Sequence, residues 1–324
     1  MPTVLVTDST FERLDVEESI LGPLGCSVES RQCRTVEELL EAVGGADYVL
    51  TQFAPVDARV VAAMDRAKLI VRYGIGVDNV DLDAARARGI AVCNVPDYCV
   101  DEVADHTLGL LLNATRQLAA NGRRVREGGW GLAAPLESMR TLRDMTVGVV
   151  GFGRIGREVA ARLSGFKCRV LAHDPNVAAD EAARFGAESV DLNGLLAASD
   201  AVTLHCPSTP RTKRLIGRDA FERMKAGAIL VNVARGDVVD TDAMRAALRS
   251  GRLSDAVLDV TDPEPPPPGD PLRTADGVLI TPHVASASVR AMRRLRETAA
   301  ETVARAVRGE PLPNVVNGVV STAG

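Results

Sequence analysis

One run of residues constrains this chain more than any other: Val147-Gly148-Val149-Val150-Gly151-Phe152-Gly153-Arg154-Ile155-Gly156. An apolar, β-branched stretch ends in Gly-x-Gly-x-x-Gly, and an acid, Asp174, follows 18 positions after the last glycine. The stretch reads as a buried parallel strand over 145–150. Gly151 permits a tight turn, Gly153 lets an anion approach the backbone, and Gly156 lets the next helix pack close to the sheet. That helix, expected over 155–164, aims unpaired N–H groups and its dipole at a phosphate. A second strand over 169–172 ends at His173-Asp174. A carboxylate there accepts hydrogen bonds from ribose hydroxyls and repels a 2′-phosphate. The pattern predicts a dinucleotide site that favours NAD over NADP.

The fingerprint lies in the middle of 324 residues, so nearly half the chain precedes it and must do other work. That length suits two domains of ordinary size. With 46% hydrophobic and only 3% aromatic residues, the core is built from Ala, Val and Leu. A net charge of −5 and the absence of a long basic block argue against nucleic acid. Arg290, Arg293, Arg294 and Arg296 read instead as the solvated face of a helix. The six cysteines (Cys26, Cys33, Cys93, Cys99, Cys168, Cys206) form no C-x-x-C pair, which predicts reduced thiols and no metal site. The chain opens directly into a strand, and no apolar run is long enough to span a membrane, so a cytoplasmic location is expected.

Short apolar runs alternate with helical stretches, the signature of parallel α/β sheets. Strands are expected over 3–7, 27–32, 48–51, 69–72 and 90–93, with helices over 36–43 and 58–67. A long helix over 101–119 is acidic at its start, and its leucines suit burial between two domains. Residues 121–143 are basic, glycine-containing and hold Trp130; they read as an extended arm of the kind that packs on a partner subunit. Beyond the fingerprint, strands are expected over 201–205, 228–233, 256–260 and 278–280, giving a second sheet of six or more parallel strands. Residues 262–271 are too rich in proline for helix or inner strand. A helix over 288–308 and an extended tail over 309–324 complete the chain.

Three residues follow the carboxyl ends of these strands, where such sheets place ligands. Arg235 follows 228–233, Glu264 follows 256–260 and His283 follows 278–280, each beside Gly or Pro. Singly they read as a surface charge, a solvent-facing acid and a structural cap. Beside a dinucleotide fingerprint they read as a site. Arginine offers a rigid fork for a carboxylate and the neighbouring carbonyl oxygen. Histidine donates a proton near neutral pH. A glutamate hydrogen-bonded to that imidazole favours its charged form and fixes its orientation. With a nicotinamide as hydride source, this set suits reduction of a 2-oxo acid.

These motifs resemble the D-isomer-specific 2-hydroxyacid dehydrogenases, the family of phosphoglycerate, glyoxylate and formate dehydrogenases. The resemblance runs almost end to end, through Val71-Arg-Tyr-Gly-Ile-Gly-Val-Asp-Asn-Val-Asp81, Glu102-Val-Ala-Asp-His-Thr107, the fingerprint, Asn232-Val-Ala-Arg-Gly236 and Thr281-Pro-His283. Within the family, Ile70-Val-Arg72, Ala91-Val-Cys-Asn-Val-Pro96 and Thr203-Leu-His-Cys206 are most similar to the C-terminal-binding-protein-like branch. The resemblance implies Arg235 as substrate anchor, Glu264 as the partner of histidine and His283 as acid/base. It implies NAD contacts from Arg154 and Ile155 at the pyrophosphate and from Asp174 at the ribose, with Cys206, Pro207 and Thr212 lining the adenine side. Val233 and Asp259 would hold the nicotinamide, and Thr107 would touch the cofactor. Gly74, Ile75 and Gly76 would offer N–H groups to the substrate carboxylate, with Arg72 either a second cationic contact or a strand-end ion pair with Asp78 or Asp81.

The architecture implied is two doubly wound parallel-sheet domains, Rossmann- and flavodoxin-like, with a cleft between them. A discontinuous substrate domain takes 1–98 and 288–324, and an NAD-binding Rossmann domain takes 99–287, with a dimerisation arm over about 100–143 of a homodimer. Formate dehydrogenases carry glutamine in place of the glutamate, so Glu264 argues against formate. The phosphoglycerate pattern tends to have arginine where this chain has Gln52, and its long type carries a regulatory extension that is absent after Gly324. Glyoxylate, hydroxypyruvate, or a 2-oxo acid with a second anionic group stay open as substrates. The alternative function is an NAD(H)-sensing dimeric scaffold similar to a C-terminal-binding-protein corepressor.

Overall fold

The structure is a computed structural model and describes residues 1–319. It separates into two compact units, one formed by Met1–Tyr98 with the stretch from Ser288 onward, the other by Cys99–Ala287. The expected tail over 309–324 therefore ends, for residues 320–324, outside the described residues.

In the first unit, β1 (Thr3–Val6), β2 (Ser27–Ser30), β3 (Tyr48–Thr51), β4 (Leu69–Arg72) and β5 (Ala91–Cys93) form a five-stranded sheet in the order β2-β1-β3-β4-β5. Every pairing is parallel, and this is the flavodoxin-like winding. β3 and β4 are buried along their whole length, which is why they read as continuous Val/Leu/Ile runs. The helix Val289–Val307 belongs to this unit although it lies near the end of the chain. Its attachment is polar as well as apolar. Arg296, expected on a solvated face, has a side chain only 14% exposed and grips the fully buried Glu17 through Nη2 at 2.7 Å and Nε at 3.1 Å. The Tyr73 hydroxyl donates to the same carboxylate at 2.9 Å, and Arg296 lies over the Phe11 ring. Sequence periodicity placed this arginine outside because its partner is 279 residues away. After the helix, Val316 N–H donates to Val92 O and the Asn317 side chain brackets Ile90 and Val92, so the returning chain is stitched to the edge strand.

In the second unit, β6 (Thr146–Val150), β7 (Arg169–His173), β8 (Glu188–Ser189), β9 (Ala201–Leu204), β10 (Ala228–Asn232), β11 (Leu253–Leu258) and β12 (Val278–Ile280) form a seven-stranded parallel sheet. The order β12-β11-β10-β9-β6-β7-β8 reverses direction between β6 and β9. That reversal is the switch point of the Rossmann winding, where ligands bind. Both units are thus doubly wound parallel α/β.

Three local expectations are corrected. The helix expected over 101–119 is Val100–Arg116, and it ends where Gln117 takes φ 51°. Its Leu108, Leu110 and Leu111 pack into the core of the second unit beside Val147 and Val149. Residues 121–126, expected to be extended, belong to a second helix, Leu118–Arg126, which buries none of its residues. The segment is strongly polar and carries Asn121-Gly122, poor helix formers, in its interior, so its sequence reads as a loop. The helix expected over 58–67 stops at Ala62. Among the described residues, no helix is long and apolar enough to cross a membrane, and no cluster of His, Cys, Asp and Glu could hold a metal.

Candidate active site

The site is set by strand register. Val150 pairs with His173 on one side and Leu204 on the other, and Leu204 pairs with Asn232. Asn232 pairs with Leu258, which pairs with Ile280. The carboxyl ends of six adjacent strands therefore lie in one row. The loops that leave this row carry the glycine turn, Asp174, Cys206, Arg235, Glu264 and His283.

The glycine turn is shaped to receive a dinucleotide. Gly151 takes φ 89°, and a Cβ there would sit 2.5 Å from Cys206 N, so the loops after β6 and β9 touch through a position only glycine can fill. A Cβ on Gly156 would collide with the Gly151 carbonyl, which explains the close seating of the helix Arg154–Ser164. Gly153 differs: it is exposed, and nothing lies within 4 Å of its Cβ direction, leaving the backbone open to a ligand. As the N-cap of the helix it makes no side-chain cap, so the N–H groups of Arg154, Ile155 and Gly156 face outward along the dipole. The residues present fit a pyrophosphate.

Asp174 stands where the ribose acid was expected. Its Oδ2 accepts the Phe152 N–H at 2.8 Å and its Oδ1 accepts the Asn176 N–H at 2.9 Å, so the carboxylate also fixes the glycine turn to the end of β7. Cys206 is buried, and burial, aided by Asp174 and Asp237, pushes its thiol up to about 11. Burial pulls the neighbouring His205 down to about 3. Neither side chain therefore adds a charge at physiological pH. Thr212 donates to Pro207 O at 2.6 Å and accepts the Thr209 N–H at 2.8 Å, closing the loop that holds Pro207. Val233 is half-buried at the end of β10. Thr107, expected to touch the cofactor, is buried on the helix Val100–Arg116, and its hydroxyl donates to Val103 O at 2.7 Å.

Arg235, Glu264 and His283 come together in the second unit. His283 Nδ1 and Glu264 Oε1 are 2.5 Å apart, and the second carboxylate oxygen accepts the Thr261 N–H at 3.2 Å. Burial pushes the Glu264 carboxyl up, but the hydrogen bond and charge of His283, the Thr261 N–H and the nearby Arg235 guanidinium outweigh it. The net result lies below the usual carboxylate range, so Glu264 is an anion at neutral pH. An anionic Glu264 accepts from Nδ1, which leaves Nε2 as the nitrogen that can exchange a proton with a ligand. His283 takes φ 53°, a conformation unusual for a residue with a Cβ. Arg235 sits on the turn after β10, with its carbonyl accepting the Asn232 side chain and Nη1 donating to Ala234 O at 2.8 Å. Close packing joins these loops: a Cβ on Gly236 would overlap the Thr261 backbone.

The substrate-contact candidates of the first unit sit at the end of β4. Arg72 is 7% exposed, and its guanidinium lies 5.8 Å from the Phe53 ring centroid. Gly74 takes φ 148°, and a Cβ there would fall on the Arg72 guanidinium. The Gly74 carbonyl accepts the Val95 N–H and the Ile75 carbonyl accepts the Asn94 side chain, which fixes the backbone of 74–76. Asp81, one alternative partner for Arg72, caps the helix Leu82–Ala87 through the Ala84 N–H at 2.9 Å. Gln52 is buried, and its amide both accepts the Thr10 N–H at 2.8 Å and donates to the Thr10 hydroxyl.

Two residues escaped the sequence reading. His106 Nε2 lies 3.1 Å from the Thr281 hydroxyl, which donates to Asp259 at 2.5 Å. Asp259 itself is 2% exposed and accepts the Val284 and Ala285 N–H groups at 2.9 and 2.8 Å. The one available signal was adjacency, because His106 precedes Thr107 and Thr281 lies two residues before His283.

Residues 108–285 match the family model described as D-isomer specific 2-hydroxyacid dehydrogenase, NAD binding domain. A D-3-phosphoglycerate dehydrogenase of Archaeoglobus fulgidus is 40% identical over 294 residues, which cover 90% of this chain and 55% of that protein. The chain thus spans about half the length of that relative. A glyoxylate reductase of Korarchaeum cryptofilum is 40% identical over 282 residues, covering 86% of this chain and 85% of the relative. The crystal structure of a D-lactate dehydrogenase from Aquifex aeolicus, complexed with NAD and lactic acid, superposes with a TM-score of 0.85 at 30% identity, over 95% of this chain and 96% of that one.

Proposed function

The chain belongs to the D-isomer specific 2-hydroxyacid dehydrogenase family, and on that premise we propose that it interconverts a 2-oxo acid and a D-2-hydroxy acid with NAD. One observation carries the reading: the 2.5 Å pairing of His283 Nδ1 with Glu264, on the same row of strand ends as the glycine turn. A bound NADH supplies the hydride that reaches the carbonyl carbon. Arg235 holds the substrate carboxylate and the carbonyl oxygen through its planar fork. His283 gives the Nε2 proton to that oxygen as it becomes a hydroxyl, and in the reverse direction takes it back. Glu264 keeps Nδ1–H engaged, orients the ring and favours its protonated form. Arg154, Ile155 and Gly156 offer N–H groups to the pyrophosphate, Asp174 takes the ribose, Cys206, Pro207 and Thr212 line the adenine side, and Val233 with Asp259 borders the nicotinamide.

In this reading the first unit contributes substrate recognition through Arg72, Gly74, Ile75 and Gly76, and the second binds NAD. The Gln52 amide is already committed to Thr10 and carries no charge, so it offers a phosphate no ionic partner. This favours small substrates of the glyoxylate and hydroxypyruvate type, with Arg72 the cation that would accept a second anionic group. Leu118, Val125, Trp130, Leu132 and Leu136 are all exposed along residues 118–136, which supports that segment as the contact of a homodimer. A cytosolic setting suits six cysteines that form no disulfide. The test is NADH oxidation with a panel of glyoxylate, hydroxypyruvate, phosphohydroxypyruvate and phosphonopyruvate. Turnover of at least one supports the reading, and none with any 2-oxo acid rejects it.

A further inference from the structure

His283 occupies a left-handed backbone conformation that costs a non-glycine residue about 1 kcal/mol or more, so its surroundings must over-determine it. The surroundings converge on one carboxylate. The Asp259 carbonyl accepts the His283 N–H at 2.8 Å. Its side chain accepts the N–H groups of the next two residues, Val284 and Ala285, and the hydroxyl of Thr281. Both flanks of His283 are therefore tied to a residue at the end of the neighbouring strand.

The chain of contacts continues outward. The Thr281 hydroxyl has a single proton, and it is spent on Asp259. Its oxygen can then only accept from His106, so His106 Nε2 carries a proton in this arrangement. His106 lies on the helix Val100–Arg116, and the first turns of that helix are clamped to the helix Arg154–Ser164. Arg162 makes the clamp, reaching Asp101 at 2.8 Å and Asp105 at 2.7 Å while also pairing with Glu158. His106 is therefore presented from a fixed support. The acid facing it is Asp259, at 3.6 Å, while its chain neighbour Asp105 is engaged by Arg162.

We propose that His106, Thr281 and Asp259 form a hydrogen-bonded strut that holds His283 against Glu264, with His106 and Thr281 acting as positioning residues. The inference rests on His283 being the acid of the proposed reaction. It adds that the acid is aimed from a helix no part of which belongs to the Arg235, Glu264 and His283 set. Removing His106 leaves the Thr281–Asp259 pair in place but frees its outer end, and the His283 turn loses its tie to the helix.

The experiment compares His106→Ala, His106→Gln and Thr281→Val, with His283→Ala as the background for a double-mutant cycle. His106→Ala is expected to lower kcat about tenfold to hundredfold, the scale of a small misplacement of a reacting group. KM and the NADH Kd should change less than threefold. His106→Gln keeps a side-chain N–H donor and should recover most of the rate. In the His283→Ala background, His106→Ala should have almost no further effect. A kcat loss of equal size in both backgrounds, or no rescue by glutamine, overturns the strut. A second readout does not depend on turnover. The chain has four histidines, so 15N-imidazole spectra can resolve each ring. The His283 Nδ1–H signal paired with Glu264 should shift or broaden in His106→Ala and in Thr281→Val. An unchanged His283 signal in both variants contradicts the inference. If the parent protein turned over no 2-oxo acid, the proposed function would fail, while the imidazole spectra would still decide the strut.

Discussion

Replacing Arg296 by methionine tests how the first unit holds its late-arriving helix. In the parent, the Glu17 carboxylate is 0% exposed and is neutralised by Arg296 through Nη2 at 2.7 Å and Nε at 3.1 and 3.2 Å, with the Tyr73 hydroxyl as the other donor. Methionine keeps the apolar stem that crosses Phe11 but removes the charge. Of these donors, only the Tyr73 hydroxyl then remains on a buried anion. Breaking a buried ion pair from one side costs about 3–5 kcal/mol, and loss of the cation–π contact over Phe11 adds about 0.5–1 kcal/mol. With a urea m value of about 2 kcal/mol/M, the unfolding midpoint should fall by about 1.5–3 M. Hydrogen exchange should show the loss first in β4 and in the helix Val289–Val307, the elements that Tyr73 and Arg296 adjoin. Adding Glu17→Gln removes the stranded charge and should return the double variant to within about 1–2 kcal/mol of the parent. A midpoint loss under about 0.5 M, or a double variant no more stable than Arg296→Met, refutes the reasoning.

The remaining predictions concern the second unit. Asp174→Ala should lower the NAD-to-NADP preference by about 10- to 150-fold, the value of a hydrogen bond to a charged acceptor at about 1.5–3 kcal/mol; an unchanged ratio of kcat/KM values counts against the ribose role. Gly236→Ala should destabilise by about 1–3 kcal/mol and lower kcat, because its Cβ overlaps the Thr261 backbone that leads to Glu264; parent-like melting and turnover would show that the loop yields freely. Against the upward push of burial, the Glu264 carboxyl is held below its ordinary value in the folded protein, chiefly by the hydrogen bond and charge of His283. Its contribution to stability is therefore complete above that value and is lost as pH falls through the folded one. Stability measured from pH 7 to pH 3 should fall less steeply for Glu264→Gln than for the parent, and parallel curves would contradict the pairing.

Much of the fold was legible because parallel strands buried on both faces announce themselves. Tyr48–Thr51 and Leu69–Arg72 have the bounds expected from apolar runs alone, and so does Val278–Ile280, although it is only half-buried at the sheet edge. β11 begins at Leu253, three residues before the expected start, because Ser254 and Asp255 interrupt the run with polar side chains. Leu118–Arg126 was hidden by its polar composition and by Asn121-Gly122 in its interior, which weaken the helix signal. In the site, the glycine spacing and the strand-end positions of Arg235, Glu264 and His283 were local signals. The His106–Thr281–Asp259 contacts were not, because His106 and Thr281 are separated by 175 residues. The same separation in sequence concealed the burial of Arg296.

The most direct test of the central claim is single-turnover NADH oxidation by His283→Ala with the best substrate of the 2-oxo acid panel. If His283 supplies the proton, the rate should fall about 10²- to 10⁴-fold while the NADH Kd stays within threefold of the parent. A variant that oxidises NADH at the parent rate would show that the proton comes from elsewhere, and the assignment of Arg235, Glu264 and His283 as a working set would be wrong.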